Sequence, residues 1–140
     1  MGLASSVKIY ALDSIQGGMS QFYTPQASNE TMLVEIPPNS VDDLFVHHFQ
    51  TDQLLVVRGS FILVVLQNRE YQYIHLRDRC PQVVKIPPGI PHTAINPYEE
   101  KCVLVNAVLR HGQPHPKDYQ PLPPPFPYHL DWVKQELCKV

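Results

Sequence analysis

A chain of 140 residues is long enough for one domain with a real core, and its net charge of −2 comes without any basic block. That balance argues against nucleic acid as a partner, since phosphate binding needs clustered Lys and Arg. No apolar run reaches spanning length; the longest, Phe61–Leu66, reads as a strand, so no membrane partner is expected.

The N-terminus shows no secretory pattern. Met1-Gly2 with Ser6 matches the start of a myristoylation motif, which is short enough to arise by chance. Three cysteines, Cys80, Cys102 and Cys138, have no metal-type spacing and are read as reduced thiols of a cytoplasmic protein.

In chain order, Val7–Leu12 reads as a first strand, and the polar, Gly17-Gly18-bearing stretch Ser14–Asn29 as a loop. Met32–Ile36 alternates and stops at Pro37-Pro38. Val41–Leu44 reads as a turn and Phe45–Phe49 as a strand, which puts His48 and Gln50 on one face and His47 on the other, exterior one. Gln53–Arg58 and Phe61–Gln67 flank a Gly59-Ser60 turn; Asn68-Arg69 suits a hairpin turn into Tyr71–Leu76. Gln82–Ile86, Thr93–Ile95 and Cys102–Leu109 complete about nine short strands, a pattern that suggests a sandwich or barrel.

Beyond residue 110 the composition changes. Seven of the 15 prolines lie between Pro114 and Pro127, which predicts an extended arm rather than a strand. Leu122, Phe126 and Tyr128 offer anchors that favour an arm packed on its own barrel or a second subunit over a recognition site for a proline-binding domain. Asp131 is a candidate cap for a short helix, Trp132–Lys139, with Val133 and Leu137 on one face. The expected division is a barrel over 1–110 and an arm with a helix over 111–140.

The most informative stretch is Val83–Asn96. A strand ends at Ile86, Pro87-Pro88-Gly89 force a tight turn, and His92 opens the next strand at its mouth. The spacing P-x-G-x-x-H-x-x-x-N, complete at Pro87, Gly89, His92 and Asn96, resembles the second motif of the cupin family. The family's first motif is H-x-H, three or four residues, E, six residues, G. Counting back from Gly59 puts Asp52 at the carboxylate, His48 at the second histidine and Val46 at the first. The resemblance, over about residues 30 to 110, implies an all-β cupin jelly-roll barrel (a double-stranded β-helix) with the proline-rich arm and short helix appended.

It also implies a metal set of His48, Asp52 and His92. Two imidazoles and a carboxylate leave open positions that suit iron, manganese, nickel or zinc. The ion would be weakly held, because Val46 replaces one ligand and Asp is a methylene shorter than Glu.

A second resemblance lies within the cupins. His48-Phe49-Gln50 followed by Leu54–Gly59 looks like the strand pair of the dTDP-keto-sugar epimerases, where the histidine is the general base. Phe45 stands where that family has Arg and Asp52 where it has Lys, so the pyrophosphate clamp is missing. Three readings follow: a metal-dependent isomerase or oxidoreductase on His48 and His92; a metal-free isomerase with His48 as base; and a non-catalytic module. All three hold a small polar, sugar- or acid-like ligand. Gln50, Tyr71, Tyr73, His75 and Asn106 are the candidate ligand contacts. The arm and the Tyr71/Tyr73 face predict a homodimer.

Overall fold

The computed structural model describes residues 6–15, 20–22, 27–114 and 116–137. The Met1-Gly2 start, Gly17-Gly18 and Cys138 lie outside them. Eleven strands are described: β1 (Lys8–Ala11), β2 (Asp13–Ile15), β3 (Ser20–Phe22), β4 (Glu30–Ile36), β5 (Ser40–Val41), β6 (Gln50–Arg58), β7 (Ser60–Gln67), β8 (Glu70–Arg77), β9 (Gln82–Ile86), β10 (His92–Asn96) and β11 (Cys102–Arg110).

Two antiparallel sheets face each other, one ordered β1-β9-β6-β11-β4 and the other β5-β10-β7-β8. Alternation decides what lies between them: Leu54 and Val56 from β6, Phe61, Leu63 and Val65 from β7, Ile74 and Leu76 from β8, Val84 and Ile86 from β9, and Leu104 from β11 form one core. Nearly every residue of β7 is apolar because it is buried on both faces; Ile62 and Val64 point to the second cluster, beneath the C-terminal arm.

Turn chemistry sets the register. Asn68 and Arg69 both have positive φ (54° and 63°), as the two-residue turn between β7 and β8 demands. Gly59, at φ 84°, joins β6 to β7, and its N–H donates to Asp78 Oδ2 at 3.0 Å.

Three expectations about elements are corrected. Across the start of the expected loop 14–29, Asp13–Ile15 and Ser20–Phe22 pair as a small hairpin sheet, in a polar stretch where no apolar alternation announces a strand. Residues 45–49 are no strand. Phe45 exchanges two backbone hydrogen bonds with His92 (3.1 and 2.9 Å), and the chain then leaves the sheet. The terminal helix begins at Leu130, two residues early, and its N-cap His129 makes no side-chain cap; Asp131 is inside the first turn. A π-helical turn follows over Val133–Leu137.

The arm lies on its own barrel. Leu122 N–H donates to Leu44 O at 2.7 Å, and Tyr71 Oη donates to Phe126 O at 2.7 Å. Tyr71 packs against Phe126 and Tyr128, Tyr73 against Trp132, and Val133 is fully buried beside Ile62, Val64 and Ile95. Among the described residues Cys80 and Cys102 are free thiols, and no helix is long and apolar enough to cross a membrane.

Candidate active site

His92 owes its position to the turn before it. Gly89 takes φ 85°, and its N–H donates to His47 O at 2.8 Å, which fastens segment 45–48 alongside the start of β10. The His92 ring reaches back to Ile90 O, 2.9 Å from Nδ1. A carbonyl oxygen only accepts, so Nδ1 carries the proton. Nε2 is thereby turned to the barrel interior, 3.2 Å from Asp52 Oδ2.

Asp52 sits on the inward face of β6 with Leu54 and Val56, only 4% exposed. Its Oδ1 accepts from Gln50 Nε2 (2.6 Å) and Asn106 Nδ2 (3.1 Å). Both amides are themselves held: Gln50 Oε1 accepts from Arg110 Nη1 at 2.6 Å, and Asn106 Oδ1 from the Gln53 N–H at 3.0 Å. Oδ2 remains for the histidines, with His47 Nε2 at 3.8 Å. Burial pushes the Asp52 carboxyl up, but hydrogen bonding and charge from His92, charge from His47 and the Asn106 bond outweigh it and hold it at about 2. Burial lowers His47, more than the nearby Asp52 raises it. Its Nδ1 is buried without a hydrogen-bond partner among the described residues.

One donor atom from each of His47, Asp52 and His92 lies within 4.8 Å of the others. They stand at one end of a cavity of about 220 Å³. Asp42, Asp43, Thr93 and Asn106 add polar wall; Val34, Ile36, Leu54, Phe61, Leu63 and Leu104 make the rest apolar, and among the described residues neither Lys nor Arg lines it.

His92, Asp52 and Asn106 stand where the sequence reading places them, in the barrel; His48 does not. Its Nδ1 lies 2.6 Å from Asp118 Oδ1, its N–H donates to the same oxygen, and its side chain is 46% exposed. His47 takes the cavity position instead. The reason is the lost strand: parity has no meaning once the chain leaves the sheet at Phe45. The four-residue form of the first-motif spacing fits this placement, with His47 at the second histidine and Phe45, a cavity-lining residue, at the first. Gln50 stands behind Asp52 rather than on the cavity wall. Tyr71, Tyr73 and His75 face away from the core, the first two under the arm and His75 bonded to Tyr98 Oη at 2.7 Å. Their strand neighbours Ile74 and Leu76 are the inward residues. Asn96, the motif's last residue, is fully buried and donates to Ile36 O and Glu100 O. Its work is to close the β10–β11 connection. Asp42, Asp43 and Thr93 carry no motif and were not foreseeable.

Three solved structures share this architecture. One is a dTDP sugar isomerase from Desulfovibrio desulfuricans G20: 18% identity over 81% of this chain and 85% of that one, TM-score 0.63. This chain has the cupin fold. A sugar 3,4-ketoisomerase from Thermoanaerobacterium thermosaccharolyticum, in complex with TDP, matches over 76% of this chain and 82% of its own at 15% identity and TM-score 0.62. A dTDP-4-dehydrorhamnose 3,5-epimerase from Sulfolobus tokodaii covers 86% and 81% at 13% identity and TM-score 0.62. No family profile and no curated protein matches the chain.

Proposed function

We propose that this cupin binds a small polar, sugar- or acid-like ligand in its barrel through a weakly held divalent metal on His47, Asp52 and His92. The observation that carries the reading is that one donor atom from each of His47, Asp52 and His92 lies within 4.8 Å of the others on the cavity wall. With Nδ1 donating to Ile90 O, His92 aims Nε2 at a carboxylate oxygen 3.2 Å away. A cation held between the two atoms is attracted by both. An imidazole tied by its other nitrogen to a carbonyl, and a carboxylate braced by amides, are the outer contacts that metal ligands use. Metal bonds of about 2.1 Å at tetrahedral or octahedral angles separate donors by about 3.0–3.4 Å. The His92–Asp52 distance of 3.2 Å suits this, and His47, 3.8 Å from the same Asp52 oxygen, must move closer on binding. The unpartnered His47 Nδ1 supports weak retention, because a missing outer contact costs about 10–100-fold in affinity. When bound, the ion supplies a Lewis acid for an oxygen-rich ligand. Iron, manganese, nickel and zinc all suit this donor set.

The cavity is smaller than the about 300–1,000 Å³ of drug-sized pockets, which favours something the size of one sugar ring or a short acid. Nucleotide diphosphates are disfavoured, since Asp42, Asp43 and Asp52 line the wall without a basic residue. The similar structures include sugar isomerases and an epimerase, so the chemistry we favour is isomerisation of a free keto-sugar or related acid. The working form we propose is a homodimer.

A second reading is a metal-free isomerase. His48 is outside the cavity, so the base would be His47, which burial keeps neutral and able to accept a proton.

Thermal unfolding with added manganese, nickel, zinc or ferrous ion separates the two. Each ion that binds only the folded state raises Tm, by about 3 °C at tenfold its Kd. His47→Ala and His92→Ala should abolish the rise, Asp52→Asn should reduce it, and His48→Ala should keep it. If no ion moves the wild-type Tm at millimolar concentration, the metal reading falls. Solvent deuterium entering a keto-sugar, lost in His47→Ala, would then support the base; no exchange would leave a non-catalytic module.

A further inference from the structure

A second site lies on the outside of the barrel. Lys8 on β1 and Lys85 on β9 are directly paired in the antiparallel ladder. Their neighbours Val84 and Ile86 face the core, so both ammonium groups leave the outer face together. Like charges directly opposite each other on a ladder are destabilising. Among the described residues neither lysine has a carboxylate within ion-pair distance. An edge strand gains from a lysine because the charge blocks pairing with other chains, and this explains Lys8 on β1. It does not explain Lys85, because β9 is covered on both sides, by β1 and β6.

Between the two side chains is a pocket of about 120 Å³, closed by Ser6, Tyr10 and Pro87. Among the described residues its polar side-chain groups are two ammonium groups and two hydroxyls, with no acid in the wall. The geometry points to an oxyanion site of phosphate or sulfate size, set apart from the barrel cavity and independent of what that cavity holds. The two lysines supply charge, Ser6 supplies a hydroxyl donor, and the bound anion removes the Lys8–Lys85 repulsion. The shared chemistry is a tetrahedral oxyanion, free or as the end of an organic phosphate.

Inorganic phosphate and glycerol phosphate are titrated against the full chain at constant ionic strength, with chloride as the reference. Phosphate should raise Tm by about 3 °C at tenfold its Kd. Glycerol phosphate should do so equally if the pocket takes an end group, and not at all if it takes only the free ion. Lys85→Gln and Lys8→Gln should each abolish the rise while leaving Tm without phosphate equal to or above wild type. A phosphate-independent wild-type Tm overturns the site, as does a rise that survives in both variants. Loss of self-association in Lys85→Gln, without any phosphate response in wild type, would give the lysines to a subunit interface and overturn it too.

Discussion

Asp52 concentrates the charge of the barrel interior on one buried carboxylate. Its folded pKa of about 2 lies below the ordinary value of about 3.9. A depressed carboxyl adds stability that is present above pH ~4 and is lost as pH falls towards 2, by about 2 kcal/mol. Urea unfolding followed from pH 6 down to pH 2 should show this acid loss in wild type and a visibly shallower one in Asp52→Asn. Equal slopes in the two proteins would mean that the carboxyl titrates normally. At this scale the residues were partly legible. Pro87, Gly89 and His92 act through a turn fixed by local φ preferences, so their geometry could be read directly. His47 and His48 could not be told apart, because their directions depend on where Phe45 leaves the sheet, and that is set by pairing with His92. Tyr71, Tyr73 and His75 do share a face; the face was ambiguous because a covering arm makes an outer surface as apolar as an inner one.

Two glycines carry the turns that hold the cupin motifs, under different constraints. Gly59 and Gly89 have nearly the same backbone, φ 84° and 85°. A Cβ at Gly59 would stand 2.8 Å from Lys101 O, a backbone atom, whereas one at Gly89 would meet nothing within 4 Å. Gly89→Ala should therefore cost only the left-handed backbone penalty, about 1–2 kcal/mol. Gly59→Ala should cost clearly more, since the β10–β11 connection has to move as well. Chemical denaturation of both variants tests the order, and equal losses would contradict the close approach. Strand existence was legible for the apolar runs β6, β7 and β11, where composition alone compels burial. The hairpin of β2 and β3 was not, because its exposed polar residues leave no pattern.

At the scale of the whole molecule the two sheets end differently. The outer face of β5-β10-β7-β8 is covered by the arm, which corrects the expectation that Tyr71 and Tyr73 form a subunit contact. The outer face of the other sheet carries an apolar row in direct register, Leu33 beside Val105 and Val105 beside Leu55. Leu33 is 71% exposed and Val57, on the same side of β6 as Leu55, 48%. A contiguous apolar stripe of this kind is costly in water and is the usual mark of association. Two copies related by a two-fold axis would lay the stripe on itself, β6 at the centre, and bury Leu33, Leu55, Val57 and Val105 from both. Sedimentation at micromolar concentration should therefore give a dimer. Leu33→Lys with Val57→Lys should shift it to monomer, because each charge would be buried without a partner, while truncating Phe126 or Trp132 on the covered sheet should not. A cooperative thermal transition separates dissociation from misfolding: a folded monomer of the double variant should keep it. A wild type that sediments only as monomer would leave the stripe exposed and refute the interface.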